Sequence, residues 1–159
     1  DNSTYILGRI KVSPMTSATS PSNRLDATFG GALNLKGYET AVEKPDTGIE
    51  GQRRLVLTLY WLVDSEVTKD YKVFVHLLDG AGKIVTQKDS DPEGGNYPTS
   101  YWQKGEDFSD QYDLSLRAEE LDRIQSARVG LYDPVTGSRV ILGNGADSLV
   151  IPLAGLAQQ

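Results

Sequence analysis

The hydrophobic pattern of this chain is dominated by two dense apolar runs, residues 55–63 and 71–78. Each run has the length of a strand, is rich in aromatic and β-branched residues, and is bounded by polar or turn-forming positions. Both alternating faces of each run are largely apolar, which is typical of an interior strand covered on both sides. Because only a short polar connector separates them, the two runs are predicted to form the central antiparallel ribbon of an all-β domain.

Shorter strand patterns, separated by turn-forming residues, fill most of the remaining chain. Residues 108–116 alternate most cleanly, which predicts a strand with one packed and one solvated face. One or two helical turns are predicted within residues 118–125. The other predicted strands are residues 5–12, 27–29, 32–38, 83–88, 128–132, 139–142 and 149–153.

The number and spacing of these strands predict the fold class. We expect an all-β chain that forms a single antiparallel β-sandwich of eight or nine strands, either jelly-roll or immunoglobulin-like. The sandwich is predicted to be one domain over residues 1–159, in which residues 1–24 form an N-terminal strand and a Ser/Pro-rich linker.

Composition narrows the classes of function. A chain of 159 residues can bury a core without disulfides, and cysteine is absent, so no thiolate nucleophile or cysteine-ligated metal is available. The 22 acidic residues outnumber the 16 basic ones, for a net charge of −6, and nucleic acid is therefore not an expected partner. No apolar run approaches the roughly 20 residues that cross a bilayer, so the chain itself is expected to be soluble.

Candidate catalytic groups are few. His76 is the single histidine and lies inside the second apolar run. It is either a sheet-face side chain bonded to a neighbour or a polar group on a ligand-binding face. No nucleophile-elbow pattern supports a serine triad. The chain has enough acidic residues for a catalytic carboxylate pair, but its glutamates fall in loops, strand ends and the helical turn. Glycoside hydrolysis needs two carboxyls held at a fixed separation. A non-catalytic domain is therefore predicted, with a small glycoside hydrolase as the less favoured alternative.

A long loop, residues 89–105, contains three aromatic side chains between prolines and glycines. Exposed rings there would stack on the apolar C–H faces of a sugar, whose edges need polar partners. In the competing interpretation, Trp102 folds back as a lid on the core. The predicted glycan-binding residues are Tyr97, Tyr101, Trp102, His76, Asp89 and Asp91.

Acidic residues in the loops suggest a structural calcium site, because this hard cation binds clustered oxygen ligands. The candidate ligands are Asp89, Asp91, Asp107 and Asp110. No EF-hand spacing is present, and charged loops are usually solvated. The cofactor prediction is therefore none, with structural calcium left open.

Several stretches carry a resemblance that covers nearly the whole chain. They include residues 5–12, the Leu-Thr-Leu-Tyr-Trp run at 57–61, the Val-Phe-Val-His-Leu-Leu-Asp run at 73–79, Pro-Thr-Ser-Tyr-Trp at 98–102 and Val-Gly-Leu-Tyr-Asp at 129–133. Together they resemble the C-terminal extracytoplasmic β-sandwich domain of multi-spanning membrane proteins that look like dolichyl-phosphate-mannose-type glycosyltransferases, particularly from Chloroflexi-like bacteria.

The resemblance implies an accessory role and a bacterial location at the extracytoplasmic face of the cell membrane or at the cell surface. Residues 5–12 would then lie just outside the last membrane span of a membrane-embedded parent protein. It supplies no catalytic residues. The expected function is a non-catalytic extracytoplasmic domain that contacts glycan or cell-envelope polymer in the manner of a carbohydrate-binding module. A purely structural or protein-docking sandwich is the alternative. Because fold likeness alone does not assign a function, the two remain open here.

Overall fold

Two four-stranded antiparallel sheets face each other in the computed structural model, which describes residues 20–46, 48–153 and 155–156. The strands of this described part are β1 Asn23–Phe29, β2 Leu33–Glu43, β3 Gln52–Val63, β4 Lys72–Asp79, β5 Ile84–Ser90, β6 Asp107–Arg117, β7 Ile124–Tyr132 and β8 Leu149–Pro152. A short helix, α1 Ala118–Leu121, and two 3₁₀ turns, Pro92–Gly95 and Thr99–Tyr101, complete the secondary structure. The predicted all-β sandwich is confirmed. The predicted strand at residues 5–12 lies outside the described residues.

The predicted central ribbon is wrong, because β3 and β4 belong to different sheets. The first sheet has the order β1-β2-β3-β6 and the second the order β5-β4-β7-β8. The connector between β3 and β4 carries the chain from one sheet to the other. Each run is an inner strand of its own sheet with both faces covered, and that environment produces the same apolar pattern as a shared ribbon would.

The strand order identifies the type of sandwich. In an immunoglobulin-type fold, strands A, B and E pair in one sheet while C, F and G pair in the other. Here β2, β3 and β6 occupy the first set of places. β4, β7 and β8 occupy the second set, with β5 as an added C′ strand and β1 as an extra strand beside β2. The strand order is therefore that of an immunoglobulin-like sandwich and not that of a jelly roll.

The core lies between the sheets and is formed by alternate residues of the inner strands. Fully buried side chains at 0% exposure are Leu55, Leu57, Leu59 and Trp61 in β3, Val73, Val75 and Leu77 in β4, and Ala127, Val129 and Leu131 in β7. Strand β6 alternates buried and exposed positions along most of its length, as its sequence predicts. The side chains that alternate with these core positions must therefore point away from the core, and those of the second sheet form the surface described below.

One predicted strand is largely absent. Residues 139–142 make two isolated bridges, Tyr132 with Arg139 and Phe29 with Leu142. The first bridge joins this segment to the second sheet and the second joins it to the first sheet. A segment that touches both sheets cannot extend a ladder along either one. It instead closes this edge of the sandwich and places Arg139 above the outer surface of the second sheet.

Candidate functional site

The strand register of the second sheet brings four outward side chains into one row. His76 of β4 lies directly opposite Gln87 of β5 on one side and Arg128 of β7 on the other. Arg128 in turn lies opposite Val150 of β8, which is about half exposed. Directly opposed residues of an antiparallel pair have Cβ atoms about 4.5–5.5 Å apart, so this row crosses the whole sheet as a continuous strip.

A second row beside it contains a buried ring on an outer face. Phe74 lies between Asp89 of β5 and Gly130 of β7. Its ring extends over Gly130, where an added Cβ would approach the Cζ atom of the ring to 2.3 Å. The guanidinium of Arg139 lies 4.6 Å from the ring centroid and leaves Phe74 only 2% exposed. Gly130 and Arg139 thus hold the ring flat against the sheet.

Tyr132 completes this surface next to two acidic side chains. Its ring centroid is 6.3 Å from that of Phe74. Its hydroxyl lies near the carboxylate of Asp89. Burial raises the pKa of Tyr132, and the Asp89 carboxylate raises it further. Asp91 lies on the same side, 3.7 Å from the ammonium of Lys72. We call the surface formed by Phe74, His76, Gln87, Asp89, Arg128 and Tyr132 the second-sheet face.

His76 has unused hydrogen-bonding capacity at the centre of this face. Its side chain is 12% exposed, and its buried Nδ1 has no hydrogen-bond partner among the described residues. Its Nε2 lies 4.0 Å from Oδ1 of Asp89, which is beyond hydrogen-bond distance. Burial lowers the pKa of His76, Asp89 opposes this effect, and Arg139 and Arg128 add to it. The imidazole is therefore neutral near pH 7, with one nitrogen able to donate and the other able to accept.

The aromatic loop does not form the predicted stacking platform. Trp102 is 1% exposed, and its ring packs edge-on against Phe108 with a centroid distance of 4.5 Å. Its indole N–H donates to the carbonyl of Tyr97, 2.9 Å away, and the Tyr97 ring is also buried. Tyr101 is 40% exposed. The interpretation of Trp102 as a lid on the core is confirmed, because buried rings cannot stack on a sugar.

Of the six predicted glycan-binding residues, three therefore lie together. His76 and Asp89 are neighbours on the second-sheet face, and Asp91 lies at its border. The sequence analysis did not identify Phe74, Gln87, Arg128 or Tyr132. The alternation of apolar and polar residues in β4 and β7 indicates that Phe74, Arg128 and Tyr132 point outward. It does not show that they lie together, because that depends on the pairing of two strands separated by more than 40 residues.

The four candidate calcium ligands do not converge. Asp107 is ion-paired with Lys36, and Asp91 is near Lys72. Asp110 accepts a hydrogen bond from the Tyr112 hydroxyl at 2.5 Å, whereas Asp89 lies 4.0 Å from the Nε2 atom of His76. Within residues 20–46, 48–153 and 155–156, no three acidic or histidine side chains are grouped so as to hold a metal ion.

A separate polar depression of about 300 Å³ lies at the edge of the first sheet, lined by Glu93, Gly94, Ser109, Asp110 and Gln111. Asp110 is 4% exposed and accepts the backbone N–H of Glu93 at 3.2 Å. Burial raises the pKa of both carboxyl groups, and the charge of Asp110 raises that of Glu93 further. Glu93 has a φ of 51° in the left-handed region, so this turn is strained. Asp110 holds the turn against β6.

Comparison with known proteins leaves the second-sheet face unassigned. No protein-family model matches the chain, and no characterised protein of similar sequence is found. The chain resembles a solved structural-genomics target, SoR45, at 11% identity with a TM-score of 0.45, covering 80% of this chain and 91% of that one. It also resembles a putative ApaA protein from Bordetella pertussis, at 14% identity with a TM-score of 0.32 over 76% and 92% of the two chains.

A third solved structure is a GH3 β-glucosidase from Bifidobacterium adolescentis, at 15% identity with a TM-score of 0.25. The match covers 80% of this chain but 17% of the glucosidase. Likeness at these scores supports no functional assignment. In the described part of the chain, no helix is both long enough and apolar enough to cross a bilayer.

Proposed function

We propose that this chain is a non-catalytic, extracytoplasmic accessory domain of a bacterial membrane glycosyltransferase-like protein, and that it contacts glycan through the second-sheet face. The location and the parent protein follow from the sequence resemblance described above. The contact surface follows from the side chains that the register of β5, β4 and β7 gathers on one side of the sheet.

The neutral, unpartnered imidazole of His76 is the observation that carries the proposal. A buried polar atom without a partner is costly, and most such atoms in proteins are satisfied by a neighbour, a water molecule or a ligand. Beside His76 lie the exposed amide of Gln87 and the carboxylate of Asp89. Sugar hydroxyls both donate and accept hydrogen bonds, so a neutral imidazole, an amide and a carboxylate suit them together.

The partly exposed ring of Tyr132 and the exposed side chain of Val150 supply the complementary apolar surface, because the Phe74 ring is 2% exposed beneath Arg139. The ring centroids of Phe74 and His76 are 5.0 Å apart, and the Tyr132 ring lies on the other side of Phe74. Aromatic rings pack against the C–H faces of pyranoses, as expected from their apolar character. A flat sheet surface of this kind fits an extended polymer lying across the strands.

The carboxyl groups favour binding over hydrolysis. Asp89 lies beside His76 and Tyr132, and Asp91 lies 3.7 Å from the ammonium of Lys72, so neither is arranged as a proton donor. Glycoside hydrolysis requires two carboxyls held across a scissile bond. At the first-sheet edge, the buried carboxyl of Asp110 already accepts hydrogen bonds from Tyr112 and from the Glu93 backbone. That role is structural.

A glycan-array screen of the domain tests the proposal, using two matched glutamine variants. Gln87→Ala removes an exposed amide from the second-sheet face, and Gln111→Ala removes one from the polar depression. Binding should fall about tenfold in Gln87→Ala and in His76→Ala, and should be unchanged in Gln111→Ala. Absence of binding to every glycan would favour the structural or protein-docking alternative. Loss in Gln111→Ala alone would place the site at the depression instead.

A further inference from the structure

Arg128 is the cation among the residues that define the second-sheet face. In the part of the chain that the structure describes, no carboxylate lies within 4 Å of its guanidinium. The other two cations at this surface are compensated, since Lys72 is 3.7 Å from Asp91 and Arg139 is 2.9 Å from Asp147. Arg128 therefore leaves one positive charge unpaired at the middle of the row.

No described neighbour forms an ion pair with Arg128. The side chains directly opposite are the neutral imidazole of His76 and the apolar Val150. The Asp147 carboxylate, which lies within electrostatic range, is already bonded to Arg139 and to the Ser148 hydroxyl. Asp89 is on the far side of His76. In the described part of the chain the Arg128 guanidinium therefore has no carboxylate within ion-pair distance, although Asp147 lies within electrostatic range.

We propose that the saccharide bound at the second-sheet face is acidic, and that a uronate carboxylate of this saccharide pairs with Arg128. This inference rests on the proposed function. A guanidinium presents parallel N–H donors that match the two oxygens of a planar carboxylate. A singly charged carboxylate fits this position better than a doubly charged phosphate monoester, because the nearby carboxylates of Asp147 and Asp89 would repel the second negative charge.

The rest of the face fits the remainder of the same sugar. Gln87 and His76 lie along the row from Arg128, where they would meet ring hydroxyls while the carboxylate is held at Arg128. Val150, beyond Arg128, provides an exposed apolar edge. In a uronate-containing polymer that runs across the strands, the carboxylate would therefore bind at one defined position, Arg128. It would not depend on a diffuse basic surface.

A panel of paired oligosaccharides tests this inference separately from the proposed function. Each pair consists of a uronate oligomer and its carboxyl-reduced, neutral counterpart, printed at equal density. We expect the acidic member of at least one pair to bind about tenfold or more tightly than its neutral partner. Binding of neutral members alone, or equal binding within every pair, would overturn the acidic preference while leaving glycan binding intact. Absence of binding to both the acidic and the neutral oligosaccharides would overturn the acidic preference and the proposed glycan binding together.

Charge-matched variants identify the responsible cation. Arg128→Gln removes one positive charge from the second-sheet face, and Arg54→Gln removes one from the outer face of the first sheet, where Arg54 is paired with Glu43 and Asp113. Affinity for the uronate oligomer should fall about tenfold in Arg128→Gln and remain within about twofold of wild type in Arg54→Gln. Affinity for a neutral glycan should remain within about twofold of wild type in Arg54→Gln, and in Arg128→Gln it should fall less than the affinity for the uronate oligomer does. Equal losses in both variants would indicate a general charge effect and contradict the assignment to Arg128.

Discussion

Replacement of Trp102 by alanine separates its packing role from the role of a ligand platform. The indole is 1% exposed and contacts Phe108, Trp61 and Tyr97, with ring centroids 4.5, 5.9 and 6.4 Å away. A buried aromatic side chain covers about 150–250 Å², which at about 25 cal/mol/Å² corresponds to roughly 4–6 kcal/mol of transfer free energy. Alanine retains part of this area. The carbonyl of Tyr97 would also lose the indole N–H that now bonds it at 2.9 Å.

We therefore expect Trp102→Ala to lower the free energy of unfolding by about 3–5 kcal/mol, within the range measured for buried tryptophans. Urea unfolding followed by circular dichroism gives this value directly. For a chain of this size, the melting temperature should fall by roughly 6–20 °C. Trp102→Phe, which keeps a ring in the cavity, should lose less. Tyr101→Ala, in the same loop but at a side chain that is 40% exposed, should cost less than about 1 kcal/mol.

The reasoning would be refuted by a stable Trp102→Ala variant that no longer binds saccharide. A loss of less than about 1 kcal/mol would mean that the indole does not fill the core. Conversely, a destabilised but folded Trp102→Ala domain that retains saccharide affinity at low temperature is the expected result, because the indole lies in the core and not on the second-sheet face.

Three further predictions follow from individual contacts. Gly130→Ala should cost about 1–3 kcal/mol in urea unfolding, because the new Cβ would displace the ring of Phe74, whereas an alanine at the open turn position Gly143 should cost less. Thr99→Val should cost roughly 2 kcal/mol or more, since its buried hydroxyl donates to one backbone carbonyl at 2.6 Å and accepts one backbone N–H at 2.8 Å; Thr99→Ser should retain most of the stability. The pKa values of Glu93 and Asp110 are raised in the folded state, so the protonated carboxyls stabilise the fold. This stabilisation is complete below the unfolded-state pKa values, near about 4, and is lost as the pH rises through the folded-state pKa values. Glu93→Gln should therefore make the free energy of unfolding less dependent on pH in this range than it is in wild type.

Each of these predictions has an outcome that contradicts it. An unperturbed Phe74 ring in Gly130→Ala would show that the ring does not lie across β7. Equal stability of the valine and serine variants at position 99 would show that the hydroxyl is not a buried bridge. Identical pH profiles of wild type and Glu93→Gln between pH 4 and 7 would show that the glutamate does not titrate in contact with Asp110.

Local periodicity predicted the strands well, whereas their pairing required information that the sequence does not display. The alternation of β6 and the apolar runs of β3 and β4 reflect which faces are covered, and that information is local. Which strands become neighbours depends on contacts between distant segments. β3 therefore pairs with β6, more than 40 residues away, instead of with β4. The segment at residues 139–142 looks like a strand because it is apolar, but it is shared between two sheets.

The same distinction explains the outcome for the candidate site. His76, Asp89 and Asp91 lie together because β4 and β5 pair as a hairpin, and the glycines at positions 80 and 82 between them are a turn signal in the sequence. Arg128 and Tyr132 join them through the non-local pairing of β4 with β7. Trp102 and Tyr97 were ambiguous because an aromatic ring in an irregular loop has no periodicity to show which way it points. Their burial depends on Trp61 and Phe108, on two other strands.

Amide chemical-shift mapping with the tightest-binding oligosaccharide from the array tests the central claim most directly. If the second-sheet face is the binding surface, the largest shifts in a ¹⁵N-correlated spectrum should fall on the outward positions of β5, β4 and β7, with His76, Gln87 and Arg128 among them. The outer face of the first sheet should stay unchanged. Shifts confined to the loop around Tyr101, or to the depression beside Gln111, would contradict the account.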